Sequence, residues 1–237
     1  MNGPSLRPSE SSGLQAPNGG EHFAAYVAHE LRTPLATQHA LLELALSDPN
    51  TDVTSWRRIG EDVLRACMHE ERLLEACLTL ARSQDRPPQR CEPVDLAAIT
   101  AKALQAHDLH ELDRVVVLEP ARAVGDPDLL ERLVVNLVSN AVEHNIAGGR
   151  IQVATSTVLG RACLSVANTG PLVPTGELQR LFEPFQRLTS EPRSFSDGVG
   201  LGLAIVRAIV EAHEAVLTAR VQPGGGLGID VAFAALR

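Results

Sequence analysis

The chain has 237 residues, enough for one large domain or two smaller ones with a sizeable core. Lys and Arg total 21 against 29 Asp and Glu, and the net charge of -8 excludes the basic footprint with which nucleic-acid binders neutralise phosphates, so no nucleic-acid partner is expected. Four cysteines, Cys67, Cys77, Cys91 and Cys163, are scattered without a CxxC pair or a histidine at metal spacing, which fits reduced, buried thiols in a cytoplasmic protein rather than a disulfide framework or a zinc site. No run of about 18 apolar residues occurs and the first twenty residues lack the apolar stretch of a signal peptide, so the chain as it stands is expected to be soluble.

Residues 1–20, rich in Ser, Pro and Gly, read as a flexible leader. From about His22 to Ser47 one helical pattern follows, with Phe23, Val27, Leu31, Leu35, Gln38, Leu42 and Ala45 three or four apart on a stripe that only Gln38 interrupts. The run from Ser47 to Asp52 stops it, because Pro49 cannot continue the backbone ladder and Asp, Asn and Ser favour turns. A second helix is predicted from about Thr54 to Arg82, where Ile59, Val63, Cys67, Leu74, Cys77 and Ala81 approximate a 3.5-residue repeat. A two-helix hairpin with such narrow seams cannot bury them alone, whereas two copies paired into a four-helix bundle can, so a homodimer is expected.

Pro87, Pro88 and Pro93 mark residues 85–93 as a linker between a hairpin at 21–84 and a second domain at 94–237. In that domain Asp95–Ala106 reads as a helix and Val115–Glu119 as a strand, and Asp126-Pro127 opens a strong helix to about His144 with an N-cap and a first-turn proline. Ile151–Val158 and Ala162–Val166 alternate as strands around Leu159-Gly160, and Ala215–Val221 and Gly228–Ala234 form a second pair. A helix from about Leu201 to His213 lies between the pairs. The predicted class is α+β: a helical hairpin that forms a four-helix bundle on dimerisation, then an α/β sandwich with helices on one side of a mixed sheet.

Two constellations carry chemistry. In His29-Glu30-Leu31-Arg32-Thr33-Pro34-Leu35, His29 lies roughly 200° round the helix from both Val27 and Leu31, which points it away from the seam toward solvent. Imidazole nitrogen is a good nucleophile near neutral pH, and the neighbouring Glu30 can hold the tautomer and accept the proton. Thr33, four residues on, puts a hydroxyl on the same face, where it can position a water. In the second domain Leu129, Leu130, Leu133, Val134, Leu137, Val138 and Ala141 form the buried face of the helix, while Arg132, Asn136 and Asn140 stack at four-residue spacing on another. Amide oxygens suit Mg²⁺, which keeps several waters while bridging phosphates. Downstream come Asn168-Thr169-Gly170, Phe182-Glu183-Pro184-Phe185 and Gly198-Val199-Gly200-Leu201-Gly202-Leu203, the last opening a helix whose N–H groups suit phosphates. The glycines lack the lysine of a P-loop and do not follow a parallel strand, so Walker and Rossmann sites fit poorly.

The string His29–Leu35 resembles the phosphoacceptor motif of sensor histidine kinases, and the later segments, in this order, resemble the ATP-binding domain shared by those kinases, gyrase-type ATPases and related chaperones. The resemblance spans about residues 22–235. It implies an ATP-dependent protein-histidine kinase of two-component signal transduction that phosphorylates itself on His29 with Glu30 as general base and donates to an aspartate of a response regulator. Thr33 is implied as the residue that supports dephosphorylation of that partner. ATP and Mg²⁺ are the implied cofactors. Asn140 is implied as the metal ligand, Asn136, Asn168, Gly170, Gly198, Gly200, Gly202 and Leu203 as nucleotide-binding residues, and Thr189–Val199 as a lid over the nucleotide.

Kinases of this family commonly carry a membrane-spanning sensor before the histidine motif, so membrane attachment is expected only through a region absent from this chain, with the kinase in the cytoplasm. The sequence departs from the family pattern at Asn168, where an aspartate usually accepts from the adenine amino group, at Glu143, where a basic residue is common, and at Pro171, Glu214 and Leu227. A neutral acceptor at Asn168 implies weaker adenine binding. The changes at Asn168, Glu143 and Leu227 motivate an alternative reading, a degenerate kinase acting mainly as a dimeric docking and phosphatase platform. A gyrase-like ATPase without histidine transfer would leave the hairpin motif unused.

Overall fold

The structure is a computed structural model in which residues 19–48, 52–83, 88, 90–186 and 200–235 are described; the leader reading falls largely on residues 1–18, outside them. The hairpin consists of α1 (Gly19–Ser47) and α2 (Val53–Arg82). Asp52 caps α2 by accepting the Ser55 N–H at 2.7 Å, satisfying a donor that the helix itself leaves open. Gln38, which interrupts the apolar stripe of α1, is buried in the hairpin and donates to Glu70 Oε1 at 3.2 Å. The residues that α2 buries within one chain, Ala66, Leu73, Ala76 and Thr79, lie off the expected repeat, of which Leu74 is exposed and Cys67 and Cys77 are half-buried. The physical reason is that α2 serves two neighbours, packing on α1 and also on the second domain, whose core takes in Leu73 and Ala76.

The second domain is built on a five-stranded sheet of order β2-β4-β5-β7-β6, comprising β2 (Asp113–Leu118), β4 (Arg150–Val158), β5 (Arg161–Asn168), β7 (Leu227–Ala232) and β6 (Val216–Val221). β2 runs parallel to β4 and the other neighbours are antiparallel, so the sheet is mixed, as expected. The β4–β5 hairpin turns at Leu159 and Gly160, both at positive φ, and its register brings Asn168 opposite Ile151 at the far end. Inward residues such as Ile151, Val153, Leu164, Val166, Ile229 and Val231 are almost fully buried.

Three helices complete the sandwich: α3 (Leu96–Gln105), α4 (Pro127–Glu143) and α5 (Gly202–Ala212). Asp126 starts α4 by accepting from the N–H groups of Asp128 and Leu129, with Pro127 at the first position. All seven apolar residues expected on its inner face are buried, and each of the six leucines and valines among them contributes about 1.5–3 kcal/mol. The α4 and α5 helices lie side by side, so the polar stripe of α4 faces the start of α5. A two-stranded antiparallel sheet of β1 (Glu92–Asp95) and β3 (Arg122–Gly125), not foreseen from the sequence, adjoins α4.

Candidate functional site

A cavity of about 340 Å³ opens between α4, the start of α5 and, from the hairpin, α2. Its volume falls within the range of small-molecule sites. Of the nucleotide-binding residues expected from sequence, Asn136, Asn140, Asn168, Gly200, Gly202 and Leu203 all line it. Gly170 is not among the lining residues; a Cβ there would lie 2.6 Å from the His144 carbonyl oxygen, so its role is to let the loop after β5 close against the end of α4. Gly198 and the lid expected at Thr189–Val199 fall within residues 187–199, outside the described residues.

Each wall has a local cause. Asn136 Nδ2 donates to the Arg132 carbonyl at 2.7 Å, one turn back, and a Cβ at Gly202 would come within 3.2 Å of Asn136 Oδ1. The start of α5 therefore sits directly against the amide stripe. Leu201 at the N-cap offers no side-chain acceptor and is itself buried, so the first N–H groups of α5 have no side-chain cap and present their partial positive charge at the cavity. Gly200 at φ 73 makes the sharp entry, and its carbonyl accepts the Phe185 N–H at 2.8 Å. The Asn140 side chain makes no hydrogen bond to another described residue, which leaves its amide oxygen for a ligand.

Asn168, buried at the end of β5, uses Nδ2 to donate to the Thr169 carbonyl at 2.7 Å and to the His144 carbonyl at 3.4 Å. The hydrogen-bond network assigns Oδ1 as the acceptor the side chain has left. At the far end of α5, His213 Nδ1 donates to the Ile209 carbonyl at 2.8 Å and Nε2 accepts the Asp126 N–H at 3.0 Å, tying α5 to the start of α4. Burial holds His213 below its ordinary pKa of 6.5, although the Ile209 bond and the Asp126 charge pull the other way.

His29 is exposed on α1, as its angular position requires, and Glu30 beside it is half-buried. Thr33 is exposed on the same face and donates to the His29 carbonyl at 3.3 Å. His29 is not among the residues lining the cavity. The hairpin reaches the cavity through α2 instead, with Arg72, Glu75 and Thr79 in the wall. Arg132 Nη2 pairs with Glu75 Oε2 at 2.7 Å across the domain boundary. One turn before His29, Tyr26 stacks on Phe185 with ring centroids 3.8 Å apart, and Phe185 holds a positive φ of 65 that costs a non-glycine residue about 1–3 kcal/mol. The sequence foretold none of these interdomain contacts. Arg132 alone left a trace, by sharing the stripe of Asn136 and Asn140.

The fold joins a mixed-sheet domain, with the cavity between α4 and α5, to a helical hairpin that displays His29 to solvent. Residues 21–86 match the family described as the His Kinase A (phospho-acceptor) domain, and residues 125–235 the Histidine kinase-, DNA gyrase B-, and HSP90-like ATPase. The sensor protein CutS of Streptomyces coelicolor is 44% identical over 216 residues, covering 89% of this chain and 52% of CutS. The chain thus spans about half the length of the curated relatives it matches. The solved structure of the mycobacterial sensor histidine kinase MprB is 30% identical with a TM-score of 0.53, covering 60% of this chain and 96% of that one. The Acinetobacter baumannii histidine kinase AdeS, at 23% identity, shares the fold over 88% of this chain and 98% of its own, with a TM-score of 0.66. The chain belongs to the sensor histidine kinases of two-component systems, with an ATP-binding domain following a phosphoacceptor hairpin. Among the described residues no helix is long and apolar enough to cross a membrane.

Proposed function

We propose that this chain is the phosphotransfer core of an ATP-dependent histidine kinase, in which His29 receives the γ-phosphoryl group of ATP and passes it to an aspartate of a response regulator in the cytoplasm. The observation that carries the reading is the convergence of Asn136, Asn140, Asn168 and the start of α5 on one cavity, in a chain whose α1 holds His29 exposed. An imidazole nitrogen of His29 attacks the γ-phosphorus, the bond to the bridging oxygen of the β-phosphate breaks and ADP leaves, and the ring proton passes to the Glu30 carboxylate. Asn168 Oδ1 accepts from the adenine amino group, and the N–H groups of Gly202 and Leu203 bind phosphate oxygens. The Asn140 amide oxygen fits Mg²⁺, and Asn136 is placed to support the same phosphates. A bound Mg²⁺ would screen the phosphate charge. Thr33, exposed one turn from His29 with its hydroxyl proton given to a carbonyl, keeps lone pairs to orient water for dephosphorylating the regulator.

A dimer is supported by the apolar surface that one chain leaves uncovered: Leu35, Leu42 and Leu46 on α1, and Leu64, Met68, Leu74 and Leu78 on α2, are exposed. A second hairpin covers such stripes in a four-helix bundle. Because His29 does not line the cavity that α2 covers, transfer requires either that the ATP-binding domain leave this docked position or that the partner's histidine enter. The test is incubation with γ-labelled ATP and magnesium, in wild type, Asn140→Ala and Glu30→Gln. Label that Asn140→Ala abolishes and Glu30→Gln slows is expected, and nucleotide binding without any label in wild type turns the reading to a docking platform.

A further inference from the structure

The cavity that would hold ATP has walls ill-charged for a polyanion. Among its described lining residues the formal charges are those of Arg72 and Arg132 against Glu75 and Glu143, which cancel. The Arg132 guanidinium is moreover held by Glu75 of the hairpin at 2.7 Å. Arg132 stands one and two turns before Asn136 and Asn140 on the same stripe of α4, at the opposite end from Asn168 and His144. Thirteen residues of helix from 132 to 144 measure about 18 Å along the axis. A nucleotide anchored at Asn168 and laid along α4 therefore sends its phosphates past Asn140 and Asn136 toward Arg132.

We propose that Arg132 binds the terminal phosphate of ATP and that Glu75, by pairing with Arg132 across the domain boundary, makes nucleotide binding and hairpin docking compete. This rests on the cavity being the ATP site proposed above. The pair is weak enough to be displaced: its side chains are 39% and 54% exposed, so solvent screens their attraction. A phosphate carries more charge than a carboxylate and offers arginine a bidentate partner. By linkage, a triphosphate that takes Arg132 from Glu75 loosens the hairpin, and a docked hairpin lowers affinity for the triphosphate by the same factor. Docking also uses the Tyr26–Phe185 stack and the burial of Leu73 and Ala76, so removing Glu75 leaves the fold intact.

The experiment is calorimetric titration of the full chain with the magnesium salts of adenylyl-imidodiphosphate and of ADP, for wild type, Glu75→Gln, Arg132→Gln, Arg132→Lys and the Glu75→Gln/Arg132→Gln double variant. Glu75→Gln is expected to tighten the triphosphate analogue about threefold and ADP much less. Arg132→Gln is expected to weaken the analogue about tenfold, Arg132→Lys to restore part of that, and Glu75→Gln to have no effect once Arg132 is gone. Unchanged analogue binding in Glu75→Gln overturns the proposal. So does equal tightening of ADP, or tightening that persists without Arg132, since either means a general loss of negative charge. Should Arg132→Gln fail to fold, the Glu75→Gln and Arg132→Lys results decide alone. Wild type that binds neither nucleotide sinks the kinase reading itself, an outcome distinct from wild-type binding that Glu75→Gln leaves unmoved.

Discussion

Replacing Asn168 by Asp, the residue its family usually places there, should strengthen nucleotide binding and weaken the fold at once. The amide nitrogen of Asn168 donates to the Thr169 and His144 carbonyls at 2.7 and 3.4 Å in a buried position. A carboxylate cannot donate, so both carbonyls would face an oxygen, and leaving such a buried pair unsatisfied costs about 1–3 kcal/mol. With a urea slope of about 1–3 kcal/mol per molar, the unfolding midpoint should fall by about 1 M. Burial beside two carbonyls would raise the pKa of the introduced carboxyl, so its penalty is absent below the unfolded value of about 3.9 and grows as pH rises through the folded one. The deficit relative to wild type should therefore shrink on acidification toward that range, where the protonated acid can donate again. The charged acceptor should meanwhile tighten binding of ADP several-fold at neutral pH. The assay is urea unfolding across pH alongside ADP titration. A variant with an unchanged midpoint at neutral pH would refute the assigned orientation of the amide.

Glu214 ends α5 at φ 50, where Ala215 N–H reaches back to the Val210 carbonyl; Glu214→Gly should raise stability by about 0.5–1 kcal/mol, measured by urea unfolding. His213, held neutral by burial, contributes stability that is present above pH 6.5 and lost as pH falls from there through its lowered folded value, because protonated Nε2 cannot accept the Asp126 N–H. His213→Gln should flatten the acid side of the stability profile, and a wild-type profile identical to the variant's would show that His213 does not set it.

Much of this architecture is legible where local and global preferences agree. Asp126-Pro127 and seven apolar residues define α4, and Leu159-Gly160 between alternating segments defines the β4–β5 hairpin. The β1–β3 sheet is not legible, since each strand has four residues, Glu92–Asp95 contains Pro93 and buries only Val94, and Arg122–Gly125 gains meaning only from its partner. Nor is the strand order legible: β2 carries three consecutive valines yet lies at the sheet edge with all three exposed, because β4, its one neighbouring strand among the described residues, is distant in the chain. Asn136, Asn140 and the glycines are readable because helix periodicity and a helix start place them. The hairpin's share of the cavity wall is not, because Glu75 meets Arg132 and Tyr26 meets Phe185 only through docking of the two domains.

His29 is the proposed carrier of the phosphoryl group. Purified chain incubated with γ-labelled ATP and magnesium should yield a base-stable, acid-labile label, lost in His29→Gln, and tandem mass spectrometry should locate the phosphoryl group on the peptide containing His29. A label that survives His29→Gln, or maps to another residue, would contradict the account.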